Sequence, residues 1–523
     1  MKKVLTYLLL LCLMTGVLTA CSANRKNVLS SDETAMSSAG TAWEEVPKQI
    51  QPKYVFLFIG DGMSYPQIQV AADYLGALHD EDYFLAQPSI KDNQGATLNG
   101  PEYLNFMNFP AAGTAVTFDF NSFAPDSASS ATSISTGHKT YASTVNMDLS
   151  GVETFETIAE KVHTQLGMKV GIVSSANINH ATPAAFYAHQ PNRENYYEIG
   201  LELAVSGFEY FAGGSMRNTK GYDKEKPLAD LYSIAEEAGY VVSFTDKEAA
   251  SVNADSGKVI LIDEHPADSG SLEYEIDRTD DIWSLADYVR KGVEVLDNDK
   301  GFFLMCEGGK IDWACHANDA ASTIHDVIAF ADAVQVAIDF AKDHANETLI
   351  IVTGDHETGG LTIGFANTGY DTYLTLLSNQ KISHAKFDCE YVANYRERGT
   401  SFEEALVDIE KLFGLKTEGE KNDKQVLTTY EIEQLRIAFE KSINDIDTGI
   451  DPQLEYELYG EYDPLSVTLI RILNNKSGIS FSSYSHTGLP VPVFADGLSA
   501  DMFNGYYDNT EVFYKLARIL QVQ

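Results

Sequence analysis

The chain has 523 residues, 44% of them hydrophobic, enough for one large α/β domain or for two to three average ones. With 37 basic against 76 acidic residues its formal net charge is -39, which argues against nucleic acid as a partner, because phosphate backbones need a basic surface. The same field repels an anionic substrate at long range, so any phosphate chemistry has to be local, with metal ions or an arginine overriding it.

The chain opens on Lys2 and Lys3, an apolar run over residues 4–17, and Leu18-Thr19-Ala20-Cys21. The run is short for a membrane span and reads as an export signal over residues 1–20. Leu-Thr-Ala-Cys resembles the bacterial lipoprotein box, which implies cleavage before Cys21, lipid on its sulfur and anchoring to the cell envelope, periplasmic or outer surface. Residues 21–51 are rich in Ser, Ala, Thr and acids without periodicity, and read as a flexible tether. Cys306, Cys315 and Cys389 remain, which is no disulfide framework despite an exported context.

A folded domain is expected over 52–523. Residues 54–59, YVFLFI, form a continuous apolar run ending in Gly60-Asp61-Gly62, the pattern of a strand buried on both faces with an acid at its carboxyl end. Residues 125–140, PDSASSATSISTGHKT, suit a turn entering a helix: Asp126 can cap it, and Ser127 would stand at its positive end, where a nucleophile or a bound phosphate is favoured. A serine-rich surface turn is the other reading of that stretch alone. Strands at 168–174 and 258–262 and helices at 195–206 and 282–296 follow, an alternation that argues for βαβ units. Residues 301–306, GFFLMC, run into Glu307-Gly308-Gly309; a long helix spans 322–341; and residues 348–353, TLIIVT, run into Gly354-Asp355-His356. Three acids at strand ends, each beside glycine, make a converging metal site plausible beyond the carboxyl edge of a doubly wound, largely parallel sheet flanked by helices.

Residues 367–479 differ in character and read as a helical, acidic insertion packed on the main sheet. Phe402, Ala405, Leu406, Ile409, Leu412 and Phe413 form one apolar face, Ile432, Leu435, Phe439 and Ile443 a second, with Thr428 and Glu431 as a capping box. Ser485-His486-Thr487-Gly488 then precedes an apolar stretch at 489–495, and a helical pattern closes the chain over 502–520.

Asp312 and His316, spaced i and i+4, would share a helix face. With His356 and His486 they form a mixed nitrogen and oxygen set that suits zinc, while the oxygen-rich surroundings of Asp61 and Glu307 suit magnesium. The motifs GDGM at Gly60, DSASSAT at Asp126, HATPAA at His180, EGGKIDWACH at Glu307, TGDHETGG at Thr353 and HTG at His486 together resemble the alkaline phosphatase family. That resemblance implies hydrolysis of phosphate monoesters through a phosphoserine on Ser127, two Zn2+ and one Mg2+ per chain, and a homodimer. It assigns one zinc to Asp312, His316 and His486, the other to Asp61, Asp355, His356 and Ser127, and the magnesium to Asp61, Thr182 and Glu307. Arg193 would grip the phosphate with Asp126 orienting it.

Two residues depart from the best-known bacterial pattern. His180 stands where some relatives carry aspartate, and would reach the third metal only through water. Trp313 stands where lysine or histidine is usual; either product phosphate is held more weakly for want of a cation, or Trp313 simply packs. A sulfatase would need a C/S-x-P-x-R context, which Ser127-Ala128-Ser129 lacks, diesterase relatives usually lack third-metal ligands, and a pure binder has no need of Ser127.

Overall fold

The structure is a computed structural model, described here for residues 51–80, 98–223, 226–420, 423–444, 446 and 449–523. The expected export signal, Cys21 and nearly all of the tether lie outside the described residues. Among the described residues no helix is long and apolar enough to cross a membrane.

Ten strands build the central sheet: β1 Tyr54–Gly60, β2 Ala111–Val116, β3 Lys169–Asn177, β4 Tyr210–Gly214, β5 Tyr240–Ser243, β6 Lys258–Ile262, β7 Phe302–Gly308, β8 Thr348–Gly354, β9 Val491–Gly497 and β10 Gly505–Asp508. Their spatial order is β10-β2-β9-β8-β1-β7-β3-β4-β6-β5. Only β9 runs antiparallel to its neighbours, β8 and β2; the other pairings are parallel. The expected doubly wound, largely parallel sheet is therefore what forms.

The reason is legible in β1. Tyr54, Phe56 and Phe58 pack into one core while Val55, Leu57 and Ile59 pack into another, because successive side chains leave opposite faces of a strand. A strand apolar at every position needs cover on both sides. The helices that supply it are α1 Tyr65–Leu78, α2 Ser127–Thr136, α3 Tyr196–Val205, α4 Leu285–Leu296, α5 Gly309–His316, α6 Ala320–Asp343, α7 Phe402–Phe413, α8 Thr429–Asn444, α9 Pro464–Ser477 and α10 Thr510–Leu520. Apolar residues of α1, α4, α5 and α6 share the core of Phe56, joined there by Leu435 of α8 and the buried faces of α7 and α9. Those of α2, α3 and α10 share the core of Leu57.

Elements match the sequence expectations with instructive differences. The helix expected from 282 begins at Leu285, since Ser284 and Asp287 close a capping box there. The Thr428 and Glu431 capping box forms, Glu431 N donating to Thr428 Oγ1 at 3.2 Å and Thr428 N to the Glu431 carboxylate at 2.7 Å. The single closing helix expected over 502–520 is corrected: a short turn, Ala500–Phe503, leads into edge strand β10, and α10 starts only at Thr510. Gly505, at φ 105, breaks any helix there, and pairing with β2 takes up the next residues.

The register positions the functional acids. Gly60 faces Gly354 on one side and Gly308 on the other, so Asp61 and Asp355 leave neighbouring strands side by side. Glu307 stands one residue before the end of β7, level with Ile59 and with Ser174 of β3. Cys306 turns into the apolar core on the other face, as alternation requires.

Candidate active site

Helix α2 begins at the carboxyl edge of the sheet. Asp126 is its N-cap, Oδ1 accepting from Ser129 N at 3.0 Å, and Ser127 is its first residue. Ser127 is 2% exposed, so a solvated surface turn is ruled out. Its Oγ lies 3.2 Å from His356 Nε2 and 3.4 Å from Asp61 Oδ1. Small residues on the next turn allow that approach, and Ser130 Oγ donates to Asp355 Oδ2 at 2.9 Å.

Three groups of ligand-type side chains converge here: Asp61, Asp355 and His356; Asp312, His356 and His486; and Asp61, His180 and Glu307. In the first, His356 Nε2 lies 3.2 Å from Asp61 Oδ1 and 3.3 Å from Asp355 Oδ2. At the second, α5 presents Asp312 and, beside the group, His316 on one face, as their spacing predicts. His316 Nε2 is 3.4 Å from Asp312 Oδ2 and 3.1 Å from His486 Nε2, and His486 Nε2 is 3.7 Å from Asp312 Oδ1. Both outer ring nitrogens are engaged: His316 Nδ1 donates to Tyr484 O and His486 Nδ1 to Pro125 O, each at 2.6 Å. That fixes the tautomer with Nε2 free to ligate. In the third, Thr182 Oγ1 lies 3.3 Å from Asp61 Oδ2, Ser174 Oγ donates to Glu307 Oε2, and Glu307 Oε1 has no hydrogen-bond donor among the described residues.

These residues fit metal ions. Asp61, Asp355 and Glu307 are fully buried and Asp312 is 4% exposed, and buried like charges need cations or protons to coexist. With protons alone, burial and then Asp61 push Asp355 up to about 7 and hold Glu307 well above the usual carboxylate range. Burial would lower His356, but Asp355 and Asp61 raise it to about 10. Bound cations would remove that conflict and use the orphaned Glu307 oxygen.

Arg193 reaches in beside Ser127. Its backbone N donates to Ser143 O at 2.7 Å, Nη1 donates to Asp126 Oδ2 at 2.9 Å, and Nη2 to His180 Nε2 at 3.3 Å. Burial would raise Asp126, yet Arg193 and backbone N–H donors hold it at about 2. His180 caps the turn Ala181–Ala184 that carries Thr182, and burial followed by Arg193 lowers it to about 3. A neutral imidazole can accept from the guanidinium. Trp313 packs edge-on against His180 at 5.9 Å, and the Lys310 ammonium lies over its ring at 4.8 Å.

Every candidate site residue named in the sequence from Asp61 to His486 is thus found around this one site. The sequence did not disclose the residues behind them. Thr358 Oγ1 donates to Asp312 Oδ1 at 2.6 Å and lies 3.3 Å from His356 Nδ1, so one hydroxyl ties two ligand groups. The Glu357 carboxylate accepts from Gln67 Nε2 at 2.8 Å, from Gly360 N at 3.1 Å and from Thr487 Oγ1, which locks the short strand pair Glu357–Thr358 and His486–Thr487. Both residues sit inside the TGDHETGG motif, which was the available signal.

A buried carboxylate and imidazole cluster over the carboxyl edge of a doubly wound sheet lies where α/β enzymes of this architecture bind their ligands. The chain belongs to the alkaline phosphatase family, whose model matches residues 52–208 and 267–522. It is therefore an enzyme of phosphate monoester hydrolysis, from a metal-dependent family. Alkaline phosphatase 3 of Bacillus subtilis (strain 168) is 31% identical over 484 residues, 90% of this chain and 90% of that protein. The crystal structure of a cold-active alkaline phosphatase from Shewanella sp. matches with a TM-score of 0.68 at 26% identity, covering 89% of this chain and 99% of that chain. A variant of the TAB5 alkaline phosphatase, described with Mg bound in its M3 site, shares the fold with a TM-score of 0.58 at 23% identity, covering 91% of this chain and 100% of that chain.

Proposed function

We propose that the chain hydrolyses phosphate monoesters to alcohol and inorganic phosphate in a metal-dependent reaction that passes through phosphoserine at Ser127. The observation that carries this reading is the position of Ser127: a buried hydroxyl at a helix N-terminus, 3.2 Å from His356 and 3.4 Å from Asp61, next in sequence to the acid that holds Arg193. A structural serine would not need those neighbours.

The donor sets suit two Zn2+ and one Mg2+. Asp312, His316 and His486 would hold one zinc, Asp61, Asp355, His356 and Ser127 the other, and Asp61, Thr182 and Glu307 the magnesium. Bound there, such ions lower the pKa of coordinated hydroxyl and water and stabilise charge on the attacking and leaving oxygens of an in-line displacement. The chain's own residues do the rest. The α2 N-terminus offers its N–H groups to phosphoryl oxygen, and Ser127 Oγ is held facing the cluster by the turn it opens. Asp126 and His180 brace the Arg193 fork from both sides, which sets its plane for two phosphoryl oxygens. Trp313 closes the wall next to His180 without adding a cation.

The decisive experiment is release of phosphate from 4-nitrophenyl phosphate by Ser127→Ala. Turnover is expected to fall to a small residue of the wild-type rate with metal content retained; normal turnover overturns the phosphoserine route.

Beyond the chemistry, we infer export and anchoring through lipid on Cys21, a homodimer, and the helical segment 367–479 as an addition to the catalytic domain. Cys21→Ser should release the protein from the envelope, and sedimentation of the purified protein should return twice the mass of one chain.

A further inference from the structure

A second guanidinium stands next to the phosphate site, on a segment outside the family match. Arg217 follows β4 within residues 209–266, which the family model does not cover. Its backbone is clamped to the site: Arg217 N donates to Asn179 Oδ1 at 2.8 Å, and Asn179 Nδ2 donates to Arg217 O and Tyr196 O, each at 3.0 Å. Asn179 is the residue before His180, so the clamp ties Arg217 to the turn that braces Arg193.

The side chain is built in as firmly. The Arg217 guanidinium lies over the Tyr196 ring, Cζ 4.6 Å from its centroid, and Nη1 donates to Tyr196 Oη at 3.1 Å. Tyr196 is 4% exposed, and its ring stacks on His180 with centroids 6.5 Å apart and planes 13° apart. The series Arg193, His180, Tyr196, Arg217 therefore leads outward from the phosphate position, with a cation at either end. Tyr196 Oη also lies 3.4 Å from the exposed Glu194 carboxylate, yet among the described residues no carboxylate comes within ion-pair distance of Arg217 itself. A half-buried guanidinium with one edge on a tyrosine hydroxyl and, among the described residues, no acceptor for its other N–H groups, in a chain of net charge -39, is a rare attractive point for an anion.

We propose that Arg217 forms a second anion subsite, which favours phosphate monoesters carrying another phosphoryl group several bonds from the reacting one. The proposal rests on the reading of Arg193 as the grip on the reacting phosphate. Stacking on Tyr196 keeps the fork pre-organised, so little side-chain freedom is lost when an anion binds. Because this contact is made equally in ground and transition states, it acts through KM rather than kcat.

The test compares glucose 1,6-bisphosphate with glucose 6-phosphate, which lacks the second phosphoryl group, in wild type and in Arg217→Gln. The ratio of the two kcat/KM values is expected to fall about tenfold in the variant, the size of losing one hydrogen bond between charged groups, with the change in KM. Arg217→Lys should restore part of it, and added salt should shrink the wild-type preference. An unchanged ratio in Arg217→Gln overturns the subsite, as does a loss of kcat on both substrates alike, which would mark a structural role. Either result leaves the phosphoserine reading standing, since that reading fails only if Ser127→Ala turns over normally.

Discussion

Thr358 carries more of the site than its chemistry suggests. One hydroxyl donates to Asp312 and faces His356 Nδ1, so it orients a residue from each of two ligand groups. Partners of this kind typically contribute ten- to a hundredfold to metal affinity or activity. Thr358→Val, which keeps the volume and loses the hydroxyl, is expected to lower activity by about that range, with zinc content measured in parallel. A second residue governs behaviour in alkali. His189 lies 3.4 Å from both Glu160 and Glu202; burial would lower it, but the two carboxylates raise it to about 10. A group raised in the folded state stabilises fully below its unfolded value, about 6.5, and that contribution is lost as pH rises through about 10. The melting temperature should therefore decline between those limits, and His189→Gln should flatten the decline.

Among the elements, the two-residue strand pair Glu357–Thr358 and His486–Thr487 decides whether the last ligand arrives. His486 comes from 130 residues beyond His356 in the chain, and two residues of pairing cannot hold it alone. The buried Glu357 carboxylate does so through Gln67, Gly360 and Thr487. Glu357→Ala is expected to remove the acceptor that these three donors share and to reduce zinc affinity by about tenfold or more, read by competition with a chelator. Gly62 shows the same tightness: it sits at φ 69 with Asp312 Oδ1 2.8 Å from where a Cβ would stand. No other residue fits without moving a ligand.

At the scale of the whole molecule the acidic balance and the buried cluster act together. Cations bound at the carboxyl edge would hold the β1, β7 and β8 ends and helices of both layers to one point. A ligand at a thousand times its dissociation constant adds about 4 kcal/mol to stability. Chelation should abolish activity and lower the melting temperature, and zinc with magnesium should restore both. Loss of activity without a change in melting temperature would mean that the cluster tolerates its own repulsion.

Residues 54–59, 301–306 and 348–353 were legible as strands because a parallel sheet covered on both faces is apolar at every position, and the acids that follow announce the edge where ligands collect. Asp126 and Ser127 were legible because capping is local. β2, AAGTAV, and β10, GYYD, were not, since small residues and an edge position carry no apolar signature. The sequence by itself determined the sheet class, the acids at strand ends and the nucleophile candidate, all properties of residue type and near spacing, while the grouping of the ligands came from the family resemblance. Only the tertiary structure decided the antiparallel insertion of β9, the carbonyls of Tyr484 and Pro125 that turn two imidazoles inward, and the approach of Arg217 to the site. Those depend on contacts between distant segments, and a backbone carbonyl leaves no mark in a sequence.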